Sequence, residues 1–91
     1  MTSKSTVEIV NKRGLHARAS AKFVRTAAAW DAEVRVSKDG QTVDARSIMG
    51  LMMLAAGPGT TITVAAAGTD AEAALAAITE LVDSKFNEEG V

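Results

Sequence analysis

Cysteine is absent from the 91 residues of this chain, and histidine, proline and aromatic residues are scarce. Without cysteine the protein can form neither a disulfide framework nor a thiolate metal site. The one histidine, His16, cannot build a multi-histidine zinc site, so the sequence predicts no metal centre. Two Phe, one Trp and a formal net charge of -1 provide no basic, ring-bearing surface of the kind that binds nucleic acid.

Long hydrophobic runs are missing as well. No segment approaches the roughly 20 apolar residues of a membrane span, and the first ten residues lack the apolar core of a signal peptide. We therefore expect a cytoplasmic protein with no membrane partner. A chain of 91 residues, 47% of them hydrophobic, suits one compact domain over residues 1–91, which we expect to be a monomer.

Nucleotide-binding motifs are not found either. The segment 57–61, GPGTT, lacks the lysine that a phosphate-cradling loop needs, and Gly14 stands alone and forms no dinucleotide fingerprint. The carboxylates of residues 31–44 have no spacing that requires a paired acid and base. The sequence therefore predicts no cofactor, and neither ATP nor NAD is indicated.

Alternating apolar residues predict four strands, over residues 6–10, 32–38, 41–45 and 60–67, with a tight hairpin at Asp39 and Gly40. Helical spacing predicts three helices. The first spans 17–30 and carries Ala19, Phe23, Ala27 and Trp30 on one face. The second begins at Ser47, includes Ala55 and is stopped by residues 57–59. The third runs from 71 to Phe86 behind a capping box of Thr69 and Glu72, and leaves residues 87–91 as a frayed tail.

The predicted order is βαββαβα. Half-buried strands and helices with a single apolar stripe indicate an α+β fold, an open-faced two-layer sandwich. Its four-stranded antiparallel sheet would carry the three helices on one face and present the other face to water.

The chemistry of the chain concentrates in residues 14–18, GLHAR. An imidazole is nucleophilic at neutral pH, and the amino terminus of a helix offers unpaired N–H donors to an anion. A phosphoryl group on His16 would be held by these donors, by the helix dipole and by the guanidinium of Arg18. Spacing alone leaves a simpler interpretation open, in which His16 is an exposed residue and Arg18 a solvated charge.

A second motif follows at residues 46–52, RSIMGLM. The two motifs, their order and the distance between them resemble the histidine-containing phosphocarrier protein (HPr) family of the phosphotransferase system, and the resemblance extends from Val7 to about Phe86. It implies that His16 receives phosphate from enzyme I, which phosphoenolpyruvate charges, and passes it to a IIA-type protein with the help of Arg18. Such a protein is a stoichiometric carrier and not an enzyme that turns over.

One position departs from the family pattern. The family commonly has proline directly after the arginine of the first motif, where this chain has Ala19. Alanine fits a helix and adds an N–H to its first turn. We interpret the change as subfamily variation and consider the nitrogen-related branch of the system beside the sugar-transport branch.

Ser47 fits two compatible hypotheses. Its hydroxyl is a preferred helix cap, and the resemblance makes it a regulatory site for a dedicated HPr kinase/phosphorylase. Ala17, Ile48, Met49, Leu51 and Met52 are our candidates for the partner surface, although Ile48, Leu51 and Met52 could instead be core residues, and an exposed Met53 would also suit a partner.

A hypothesis from another class remains open. A small sandwich of this kind could be a binding module that regulates a partner by contact, with His16 never phosphorylated. Self-sufficient kinase activity is disfavoured because no nucleotide site is visible. Acid-labile phosphate, added by enzyme I and phosphoenolpyruvate, distinguishes a carrier from a contact-only module.

Overall fold

Over the residues that the structure describes, the chain forms four strands, three helices and a short closing turn. A computed structural model describes residues 2–87. In chain order the elements are β1 (Thr2–Glu8), α1 (Ala17–Ala28), β2 (Glu33–Lys38), β3 (Gln41–Asp44), α2 (Ile48–Met53), β4 (Thr61–Ala67), α3 (Ala71–Asp83) and a 3₁₀ turn (Lys85–Asn87).

The strands form one sheet in the order β1-β4-β2-β3, and every neighbouring pair is antiparallel. The longest pairing joins β1 to β4, from Thr2 opposite Ala67 to Glu8 opposite Thr61. Alternate residues of β2 and β4 are buried, while those between them are more accessible. The helices therefore cover one face of the sheet, which confirms the predicted open-faced sandwich.

One hydrophobic cluster fills the space between sheet and helices. Phe23 of α1, Leu51 of α2 and Ile78 of α3 are each fully buried in it. The buried stripes of the two long helices follow the three- and four-residue spacing of an amphipathic helix. They consist of Ala19, Ser20, Phe23 and Ala27 in α1, and of Ala71, Ala74, Ile78 and Val82 in α3.

The hairpin between β2 and β3 has the predicted turn. Asp39 has φ 49° and Gly40 has φ 82°, so both central residues have the positive φ of a type I′ turn. The strand ends differ slightly from the prediction, since β1 covers Thr2–Glu8 and not residues 6–10. Pairing with β4 extends β1 toward the amino terminus, where Thr, Ser and Lys show no hydrophobic alternation.

The first two helices end earlier than predicted. Helix α1 ends at Ala28, and Trp30 lies outside it, half-buried against the core. Helix α2 ends at Met53, because Ala55 adopts φ 53° and its N–H bonds to the Met52 carbonyl. The prediction that Ala55 belongs to the helix was wrong. The chain leaves the helix through a left-handed alanine, before the glycines at 57 and 59 are reached.

The capping box predicted for α3 is not formed. Its N-cap is Asp70, which makes no side-chain cap bond. The Asp70 carboxylate instead accepts the N–H of Asp31 at 2.8 Å, while the Asp70 N–H donates to the Asp31 carbonyl. The cap position is thus used for a tertiary contact that joins the loops before β2 and before α3.

The chain after α3 also differs from the prediction. The helix ends at Asp83, and Phe86 reaches the core from the following turn with φ 57°. The Lys22 ammonium of α1 donates to the Phe86 carbonyl at 2.5 Å and holds this turn in place. Of the predicted tail, Asn87 lies in the turn and residues 88–91 lie outside the described residues. Within residues 2–87, no helix is long and apolar enough to cross a membrane.

Candidate functional site

The loop before α1 is anchored by hydrogen bonds at both ends. The Asn11 side-chain amide donates to the Gly14 carbonyl at 2.9 Å, and the Gly14 N–H donates to the Asn11 carbonyl at 3.2 Å. The Leu15 N–H donates to the Ala56 carbonyl, in the loop after α2. Sequence analysis singled out neither Asn11 nor Ala56. The polar stretch around Asn11 was a usable signal, whereas nothing in the local sequence marks Ala56.

Gly14 is required by space and by backbone conformation. Its φ of +64° is left-handed, and a Cβ built there would lie 2.3 Å from the Ala56 carbonyl oxygen. No other residue could let these two backbone segments approach so closely. The turn at Gly14 therefore leads directly into His16, at the start of α1.

His16 is the N-cap residue of α1. Its backbone is extended, with φ -76° and ψ -179°, and its imidazole does not cap the helix. The backbone is bonded on both sides, because the N–H donates to the Gly14 carbonyl at 3.0 Å and the carbonyl accepts the Ser20 N–H at 2.8 Å. The buried Ser20 hydroxyl adds a bond to the Leu15 carbonyl. This framework fixes the backbone of His16 and leaves the residue half-buried.

The start of α1 is suited to hold an anion. The N–H groups of Ala17, Arg18 and Ala19 precede the first intrahelical bond, and the first turn has no acidic residue. Arg18 is exposed, and within residues 2–87 no carboxylate lies within 4 Å of its guanidinium. Ala17 is exposed beside it and presents only a methyl group. Positive charge and N–H donors are thus available next to His16.

Ser47 caps the second helix. Its hydroxyl accepts the Gly50 N–H at 3.0 Å, as expected of a serine N-cap. Gly50 is accommodated in the middle of α2 because its hydrogen faces β3: a Cβ there would lie 3.1 Å from both the Ser47 hydroxyl and the Val43 Cβ. The glycine that disfavours a helix locally therefore allows α2 to pack closely against β3.

Helix α2 presents an apolar surface to solvent. Met49 and Met53 are each 71% exposed, and Ile48 and Met52 are about 40% exposed. We call these four residues the methionine surface. Leu51 is fully buried, so its prediction as a partner contact was wrong: its side chain packs in the core between α2 and the rest of the fold. Met53 takes its place on the surface.

Comparison with known proteins decides the family. The model of the HPr component phosphorylation site of the phosphotransferase system matches residues 3–84. The chain belongs to the HPr family. It is 49% identical to the phosphocarrier protein HPr of Neisseria meningitidis, over 93% of this chain and 96% of that protein. It is also 49% identical to the phosphocarrier protein NPr of Shewanella violacea, over 90% of each chain.

The fold agrees with solved HPr structures. A structure of HPr from Thermoanaerobacter tengcongensis matches with a TM-score of 0.91 and 45% identity, and covers 96% of this chain and 98% of that chain. A second structure from that organism is described as an HPr dimer and matches with a TM-score of 0.76. Because the identity to the HPr and NPr relatives is equal, the choice between the sugar-transport and the nitrogen-related branch stays a prediction. The monomeric state stays a prediction as well.

Proposed function

We propose that this protein relays a phosphoryl group on His16 from enzyme I, charged by phosphoenolpyruvate, to a IIA-type protein. The observation that carries the proposal is the position of His16 at the N-cap of α1, half-buried, with an imidazole that does not cap the helix. A ring nitrogen would attack phosphorus, the bond from phosphorus to enzyme I would break, and transfer to IIA would restore the free imidazole. The protein is then a stoichiometric carrier that accepts one phosphoryl group and passes it on.

The surroundings of His16 support binding of the added charge. A phosphoryl group brings about one and a half to two negative charges and three acceptor oxygens. The first N–H groups of α1 and the exposed guanidinium of Arg18 supply donors, without any metal. Residues 11–30 carry five Lys or Arg and no Asp or Glu, so the local field favours an anion.

The methionine surface supports protein partners. Helix α1 packs against α2, and the Leu15–Ala56 backbone bond ties the loop before His16 to the loop after α2. Flexible, polarizable methionine side chains are suited to surfaces that accept more than one protein. We propose that enzyme I and the IIA-type protein cover this surface in turn, while His16 faces the donor or acceptor.

Regulation at Ser47 belongs to the same proposal. A kinase/phosphorylase acting there would place a phosphate at the amino terminus of α2, where the helix favours negative charge, and beside the apolar side chains of Ile48 and Met49. The helix would tolerate the modification, whereas a partner covering the methionine surface would have to desolvate the charge. Serine phosphorylation would thus weaken docking and leave the fold intact.

The direct test is incubation with enzyme I and labelled phosphoenolpyruvate. We expect one acid-labile phosphate per chain, and none on the His16→Ala variant. A purified IIA-type protein should then remove the label. No incorporation into the parent, with enzyme I shown to be active on another carrier, would overturn the proposal and favour the contact-only module.

A further inference from the structure

The two edges of the sheet are protected very differently. The β3 edge is only four residues long and follows the tight turn at Asp39 and Gly40, with α2 packed against it. The β1 edge is seven residues long, contains no proline, and no strand within residues 2–87 pairs with the side that faces away from β4. An edge of this length presents a row of backbone donors and acceptors to another chain.

A groove of about 540 Å³ lies between β1 and α3. Ser3 and Ser5 line its β1 side; they alternate with the solvent-facing Lys4 and stand on the same face as the buried Val7. Val7 fills the space beneath the helices at one end of the strand, whereas the two small serines leave it open at the other. Leu75, Ala76 and Thr79 of α3 form the opposite side of the groove.

The rim of the groove is negative. Glu72, Glu80 and Asp83 line it, all three are exposed, and no lysine or arginine is among the lining residues. Within the described residues none of these carboxylates forms a salt bridge. Lys4 does not neutralise them, because alternation along β1 puts it on the open face of the sheet.

These charges decide what the groove can accept. A second copy of this chain that paired its own β1 with this edge would bring Ser3, Ser5 and Val7 toward the groove and no cation, and twofold pairing would set the two acidic rims near each other. A basic extended segment meets neither objection. Its backbone would pair with β1, and alternate side chains would enter the groove.

We propose that the groove between β1 and α3 binds a basic, extended segment of a partner protein, which adds to β1 as a fifth strand. The distance between the rim carboxylates sets the spacing of the cations in the segment. Glu72 and Glu80 are eight residues apart, about 12 Å along a helix, and residues i and i+4 on one face of a strand are about 13 Å apart. For a segment that runs alongside α3, lysines at i and i+4 would lie opposite Glu72 and Glu80. A small apolar residue at i+2 would lie opposite Leu75. This site is independent of the phosphoryl relay.

The experiment uses a capped peptide, KTVTKTV, whose odd positions carry the lysines and valines. Titrated into ¹⁵N-labelled protein, it should shift the amides of β1 and of the groove-facing side of α3, and leave those around His16 and Ser47 unchanged. The paired change Glu72→Gln and Glu80→Gln should weaken binding about fivefold, since an exposed ion pair is worth a factor of two to three. The matched control, Glu33→Gln with Asp39→Asn, removes the same charge elsewhere and should not weaken it.

Three further peptides test strand addition and charge. Two peptides carry N-methyl groups on alternate residues, one on the odd and one on the even positions. Only one of these two registers should lose binding, because alternate N–H groups of an added strand face β1. The peptide ETVTETV should not bind. Any one of four results would overturn the proposal. They are equal binding of the two methylated registers, equal binding of the acidic peptide, equal weakening by the control variant, and self-association of the protein through β1.

Discussion

The two helix starts that carry the motifs differ in how they are held. At α2 the side chain of Ser47 caps its own helix, because its hydroxyl accepts the Gly50 N–H. At α1 the imidazole of His16 does not cap, and the backbone is held by Gly14, by the Ala56 carbonyl and by Ser20. A cap made by the side chain itself occupies that side chain. A start held by neighbouring residues does not require the imidazole to cap the helix.

The largest expected effect comes from His16→Ala. Because the imidazole does not cap α1, the free energy of unfolding should change by less than about 1 kcal/mol. Phosphate incorporation from enzyme I should be lost completely, since the nucleophile is gone. Thermal melts and a labelling assay test both halves. Labelling of the variant to the parent's level would contradict the role of His16.

Gly14→Ala tests whether the amino-terminal end of α1 depends on close backbone packing. The left-handed φ and the 2.3 Å approach to the Ala56 oxygen should together cost about 3 kcal/mol of stability. Denaturant unfolding measures it. Gly40→Ala is the control, because Gly40 also has a positive φ but a Cβ there would meet nothing within 4 Å. Equal losses in the two variants would show that the contact with Ala56 contributes nothing.

Arg18→Ala should slow phosphoryl transfer at least tenfold while acceptance persists. A charge-assisted hydrogen bond to the phosphoryl group is worth about 1.5–3 kcal/mol. Rapid-quench measurements in both directions give the rates. Arg25→Ala is the matched control, since Arg25 lies in the last turn of α1. Unchanged kinetics in Arg18→Ala would make Arg18 a solvated charge only.

Ser47→Asp should separate the cap from regulation. A carboxylate caps a helix and meets its positive end favourably, so we expect the parent's melting temperature. The added charge beside the methionine surface should raise the apparent KM for enzyme I about fivefold, and a carboxylate carries less charge than phosphate. If the variant is phosphorylated at the parent's rate across enzyme I concentrations, Ser47 is only a cap.

Ser47→Ala gives the smallest effect and completes the comparison. Loss of the bond to the Gly50 N–H should cost about 1 kcal/mol of stability. Phosphorylation of His16 should be unchanged, because no charge is added near the partner surface. Chemical denaturation beside the labelling assay checks this. A variant as stable as the parent would mean that the cap bond is replaced by water.

Sequence reasoning succeeded where a short stretch of chain carries its own signal. Alternation placed β2, β3 and β4 to within a residue, and Asp39 with Gly40 specified the hairpin, because the period of a strand and the φ values of a tight turn are local properties. It failed at α2. Six residues form too few turns for periodicity to separate the buried Leu51 from the exposed Met53.

The sequence by itself determined the element order, the strand alternation and the position of His16 between a glycine turn and an amphipathic helix, since each follows from residues within a few positions of one another. Only the tertiary structure decided that β1 extends to Thr2, that Asp70 bonds to Asp31 instead of capping α3, and that Ala56 lies against Gly14. These features depend on which distant segments meet. Their hydrogen bonds and contacts form between residues far apart in the chain, so no local pattern records them.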